Sequence, residues 1–156
     1  MLDKILRTSD DKVLTLLRIA LGVVMFPHGA QKVLGWWGGF GFSGTMGFLT
    51  QQMHIPYVFA VLAIAAEFLG SIGLILGFLS RIAAFGIAVN FVVAVLLIHV
   101  HNGFFMNWSG QQKGEGFEFF ILGLAIALAI MLRGSGAWSI DGVLARGRAS
   151  GAQRMP

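Results

Sequence analysis

The chain has 156 residues, of which 56% are hydrophobic and only 12% charged, with a formal net charge of +4 and no cysteine. That length suits one domain rather than two, and so small a charged share leaves too little polar surface to cover a core in water. The missing thiols exclude thiol–disulfide exchange, thiolate metal sites and iron–sulfur ligation by this chain. The basic excess gathers at the two ends and beside apolar runs, which points to membrane orientation rather than nucleic acid.

Residues 1–12 form a short polar segment of mixed charge. The apolar run after them is longer than a signal-peptide core and has no small-residue cleavage site, so it reads as a retained first membrane span over 13–34. About twenty residues cross the hydrocarbon layer as a helix, and Pro27 inside this one predicts a bend near its outer third. The connection over 35–56 carries no Lys, Arg, Asp or Glu and is rich in glycine and aromatic residues. It is expected at headgroup level, anchored by Trp36 and Trp37, with a short interfacial helix over 43–52. Spans two and three are expected over 57–79, after Pro56, and 82–101, as an antiparallel hairpin closed by a tight Ser80-Arg81 turn. A fourth, short span is expected over 117–132, followed by a docking segment at Ser139-Ile140-Asp141. A disordered basic tail is expected over 143–156.

Lys4, Arg7 and Lys12 precede span one, Arg81 lies between spans two and three, and Arg133, Arg146, Arg148 and Arg154 follow span four. The other two connections share only Lys113. The predicted fold is therefore an all-α integral membrane four-helix bundle over 13–142 with both termini cytoplasmic.

Ionisable groups inside a span are costly and usually face the bundle interior with a partner. In span one, His28, Gln31 and Lys32 fall on one helical face, and Arg18 lies on the same stripe four turns lower. In span two, Glu67 sits near mid-depth, where a bare carboxylate requires protonation or a cation. Small residues on its face (Ala63, Gly70, Gly77) predict close helix approach. Lys32, His28 or Arg18 is the expected partner, with His28 nearest in depth. Asn90 reads as an interhelical hydrogen bond. His99 and His101 close span three, and the helical period does not decide which faces inward. Glu115 and Glu118 open span four, where the helix dipole favours acidic groups, and Glu118 is deep enough to reach inward. His28, Lys32, Glu67, His99, His101 and Glu118 thus define a predicted polar pocket in the outer half, opening outward or laterally. Met25, Phe26, Trp36, Phe104 and Phe105 are candidate lining.

The stretches RIALGVVMFPHGAQKVLG, AEFLGSIGLILGFLSRIAA and GEGFEFFILGLAIALAIMLRGSGAWSID, with a histidine at the end of span three, resemble the DoxX family of small bacterial membrane proteins over roughly 13–142. The resemblance implies a four-helix bundle in the bacterial inner membrane and an association with redox processes and oxidative stress. It carries over Arg18, His28, Lys32, Glu67, Arg81, Glu118 and Asp141, with Arg18, Arg81 and Asp141 in structural or orienting roles. Three functions follow as expectations. One is a redox subunit binding a quinone-like molecule in the pocket, supplied with electrons by a partner or bound cofactor. Another is a non-catalytic membrane scaffold for oxidoreductases or stress-defence enzymes. The last is a metal site drawn from His28, Glu67, His99 and Glu118. Membrane lipid and a protein partner or second copy are the expected contacts.

Overall fold

A computed structural model describes residues 2–152, and within them all regular structure is helical. The seven α-helices among these residues are α1 (Leu2–Leu6), α2 (Lys12–Leu34), α3 (Gly41–Gly47), α4 (Tyr57–Leu76), α5 (Ser80–Leu97), α6 (Glu118–Arg133) and α7 (Ile140–Ala152). In a medium without water a helix satisfies its own backbone, which is why the long apolar runs take this form. Their ends are set by local chemistry. The Asp11 carboxylate accepts from the Val13 and Leu14 N–H groups at 2.9 and 3.1 Å and starts α2. Gly35 (φ 70°) ends α2 and Gly77 (φ 70°) ends α4, each in the left-handed conformation that spares a Cβ clash. Pro27 lies inside α2, which continues through it.

α2, α4 and α5 are long and apolar enough to cross a membrane. α6, at 16 residues, spans about 24 Å against a hydrocarbon thickness of about 30 Å. α2 packs on α4, α4 on α5, α5 on α6, and α6 back on α2. Leu21, Met25, Leu74, Ile87, Phe91, Ala127 and Ile130 fill the space they enclose. The outward surface is apolar too: Leu16, Leu62, Leu69, Leu96, Leu122 and Leu132 are each more than half exposed. Water-soluble monomers rarely carry so continuous an apolar coat.

The α2–α4 seam is unusually close. A Cβ on Gly29 would lie 2.6 Å from the Phe68 Cα, so only glycine permits this approach. Gly70, on the face expected to allow close helix approach, faces Ala83 and Ile87 of α5.

Three expectations are corrected. Ser80 and Arg81 are not the turn between spans two and three. The turn is Gly77–Leu79, with Leu79 at φ 49°, and Ser80 already belongs to α5. α5 ends at Leu97, so His99 and His101 lie on a separate single 3-10 turn. Residues 143–152 are helical rather than disordered, because Asp141 anchors the start of α7 in the bundle and Arg148 pairs with Asp3 of α1 at 2.8 Å. Residues 153–156, with Arg154, lie outside the described residues. The connection over 35–56 contains α3 and a π-turn at Phe48–Gln52, in the place expected for its short helix.

Candidate functional site

Charged groups in the helical body fall into two sets at different depths. The deeper-buried set lies at the end that carries α1 and the start of α7. Arg18 of α2 is 1% exposed. Its guanidinium donates to the carbonyls of Leu74 and Ile75 in the last turn of α4 and of Ser135 and Trp138 in the α6–α7 link. The final carbonyls of a helix lack intrahelical partners and carry the negative end of its dipole, so a cation there answers both needs. Asp141 is the mirror case. Fully buried, it accepts from the N–H groups of Leu79 and Ser80 at 2.8 and 3.0 Å, capping the start of α5 from elsewhere in the chain. Ser135 joins the two residues: its carbonyl accepts from Arg18, and its hydroxyl bonds both the Ser80 hydroxyl and the Asp141 carboxylate. Arg81 donates to the Met131 carbonyl at the end of α6 and to the Arg7 carbonyl at 3.1 Å.

The second set lies between α2 and α4, level with the middle of α4 at Glu67. Lys32 forms an ion pair with Glu67. Asn90 of α5 donates to the Ala63 carbonyl at 2.7 Å and reaches Glu67 Oε1 at 3.5 Å. The tight seam at Gly29 sets this geometry, since Gly29 and Lys32 share the α2 face turned to α4 and Gly29 touches the backbone of Glu67 and Phe68. The Lys32 side chain is 34% exposed and that of Glu67 13%, so the pair is not sealed inside the bundle. Phe26 of α2 and Phe68, the residue after Glu67 on α4, stack with ring centroids 6.0 Å apart.

The six residues of the predicted pocket are not one cluster. Lys32 and Glu67 meet, joined by Asn90, and the other four lie elsewhere. His28 is exposed on α2 and makes no hydrogen bond, ion pair or ring contact among the described residues. Its neighbour Gly29 packs on α4, and one residue earlier the helix has turned about 100° away. His99 bonds the Glu115 carbonyl at 2.8 Å and packs on the Phe120 ring. His101 is exposed. Glu118 does not reach inward: its carboxylate accepts from the Met106 N–H at 2.9 Å and the Trp108 indole at 3.3 Å, holding the α5–α6 loop. Of the candidate lining, Phe26 stacks on Phe68, while Met25 belongs to the apolar core and Phe104 and Phe105 to the α5–α6 loop.

Among the described residues no three His, Asp or Glu side chains converge as metal ligands. The set His28, Glu67, His99 and Glu118 is therefore corrected as a metal candidate. The network around Ser80 and Ser135 was missed by sequence reasoning. Its only signal was a buried-looking Asp141 after a helix end.

The sequence pattern of the DoxX family matches residues 13–100, more than half of the chain. No curated protein and no solved structure matches it.

Proposed function

We propose a function from one premise: the chain belongs to the DoxX family. The chain is a multi-pass subunit of the bacterial inner membrane, and its chemistry centres on the Lys32–Glu67 pair. α6, with its apolar outer face at Leu122, Leu128 and Leu132, crosses as a fourth span through a locally thinned bilayer. Both termini are cytoplasmic, as the placement of Lys and Arg requires.

The observation that carries the reading is a partly exposed ion pair within the apolar body, whose Glu67 directly precedes the ring-stacked Phe68. Pairing stabilises two charges that would each be costly alone in lipid, and its single hydrogen bond and partial exposure leave Lys32 with spare donor capacity. A quinone-like head fits that chemistry. Lys32 donates to a ring carbonyl, Glu67 exchanges protons with the bound head, and Phe26 and Phe68 offer a flat apolar wall. Electrons come from a partner subunit, so the chain acts within a redox assembly rather than alone.

Titration of the detergent-purified chain with a short-tailed quinone, followed by tryptophan quenching, tests this. Saturable binding that weakens about tenfold or more in Glu67→Gln and Lys32→Met supports it, on the scale expected for losing a charge-assisted hydrogen bond. Binding that does not saturate, or that ignores both substitutions, refutes it. A second reading, a non-catalytic scaffold for oxidoreductases, is favoured by the dispersal of His28, His99, His101 and Glu118. It predicts no quinone binding and co-purifying enzyme partners.

A further inference from the structure

A recess of about 270 Å³ lies at the end of the bundle that carries the α1–α2 link, lined by Arg7, Thr8, Ser9, Arg81, Leu132 and Arg133. Three guanidinium-bearing residues reach it from three separate segments: the α1–α2 link, the first turn of α5 and the last residue of α6. The chain must fold to assemble them, and no stretch of sequence holds all three.

The recess has no acidic residue in its lining. The two ion pairs among the described residues are Lys32–Glu67 and Arg148–Asp3, so Arg7, Arg81 and Arg133 have no carboxylate partner. Arg81 spends two of its nitrogens on the carbonyls of Met131 and Arg7, which fixes its plane. Its Nε and the Ser9 hydroxyl are buried and without a hydrogen-bond partner. Buried donors normally find acceptors, and two idle ones beside three cations without a direct ion pair mark a place short of acceptor oxygens, although the buried Asp141 lies within electrostatic range of Arg81. Arg7 and Arg133 are exposed and able to move onto a guest. Leu132, two-thirds exposed, continues the recess onto the apolar outer face of α6.

From this the geometry points to an anion site that takes a phosphate group, presented by the headgroup of an anionic phospholipid or as free phosphate. Guanidinium groups bind phosphate oxygens through paired, charge-assisted hydrogen bonds, and basic pockets between membrane helices hold such headgroups. A lipid guest would lay its acyl chain along Leu132. The site is remote from Lys32 and Glu67. It takes from the proposed topology only that this end lies at the membrane surface.

The full chain in non-ionic detergent is titrated separately with short-chain phosphatidylglycerol, short-chain phosphatidylcholine and inorganic phosphate, with binding read by native mass spectrometry and by the shift in unfolding temperature. Arg7→Gln/Arg133→Gln is compared with Arg146→Gln/Arg148→Gln, which removes the same charge outside the recess. Arg81 is left intact because it also ties α5 to α6. Phosphatidylglycerol is expected to bind saturably and in preference to phosphatidylcholine. Its affinity should fall by about tenfold or more in the recess variant and much less in the charge-matched control. Saturable binding of phosphate with the same variant dependence would assign the site to free phosphate, and binding of the lipid alone would assign it to the headgroup. Equal loss in both double variants, or no preference for phosphatidylglycerol or phosphate over phosphatidylcholine, overturns the site. Glu67→Gln should bind the anion as the unaltered chain does, so failure of the quinone reading and failure of this one are separable.

Discussion

Arg18 and Lys32 stand on the same helix, both basic and both facing α4, yet they do different work. Arg18 is sealed, and each of its three guanidinium nitrogens donates to a carbonyl, those of Leu74, Ile75, Ser135 and Trp138. Lys32 is one-third exposed and holds one flexible partner, Glu67. The first arrangement completes helix ends that lipid cannot hydrate. The second keeps a charge poised where a guest can reach it. Burial with full satisfaction marks architecture, and burial with spare capacity marks chemistry.

The sharpest way to break that contrast is at Asp141. Asp141→Ala strips the cap from α5 and leaves Arg18 and the Leu79 and Ser80 N–H groups without their acidic neighbour. A loss of about 3–5 kcal/mol is expected, as for breaking other buried charge arrangements, and denaturant titration in mixed micelles would measure it. Next is Gly29→Val, which forces α2 and α4 apart where no side chain fits. It should cost about 1–3 kcal/mol by overpacking and also weaken quinone binding, a pairing of effects that Asp141→Ala lacks below its unfolding midpoint. At the mid-depth pair, Lys32→Met and Glu67→Gln should each destabilise more than half as much as the double variant does. Removing both partners leaves no orphan charge, and a double-mutant cycle would read the coupling.

Smaller again is Glu118→Gln, which weakens the hold on Met106 and Trp108 and should cost about 1 kcal/mol. Faster hydrogen exchange confined to the α5–α6 loop is the expected readout. Least of all is the exposed Asp3–Arg148 pair. The Arg148 guanidinium, by hydrogen bond and charge, holds the Asp3 carboxyl below its usual range. Whatever this pair adds is present above the unfolded carboxyl's titration and is lost as pH falls through the lowered folded value. Being exposed, it should leave the unfolding midpoint almost unmoved. Carbon NMR of Asp3 should show its titration move upward in Arg148→Gln.

Hydropathy alone placed α2, α4, α5 and α6 to within a few residues, because lipid imposes length and composition on any crossing helix. Asn90 was legible as an interhelical bond, and Glu67 as a group in need of a cation. The partner was not, since His28 and Lys32 sit on nearly the same face by period. The choice between them depends on where Gly29 lets α4 touch down, and a helical side chain leans toward the N-terminus of its own helix. Lys32 reaches back to Glu67, whereas His28 points aside. The capping by Arg18, Arg81 and Asp141 was out of reach for a different reason. Each satisfies backbone atoms far along the chain, and backbone atoms leave no trace in residue identity. The tail beyond residue 143 misled because its Arg, Gly and Ser content resembles disorder, while its anchors are a buried carboxylate upstream, Asp141, and a distant partner, Asp3.

The division between architecture and chemistry is tested most directly by quinone binding to three folded proteins side by side: the unaltered chain, Glu67→Gln and Ser135→Ala. Ser135→Ala disturbs the network that links Arg18 and Asp141 but leaves the mid-depth pair whole. Binding retained in Ser135→Ala, despite a lowered unfolding temperature, and lost in Glu67→Gln is the expected result. Unchanged affinity in Glu67→Gln, or equal loss in both variants while circular dichroism shows them folded, would contradict it.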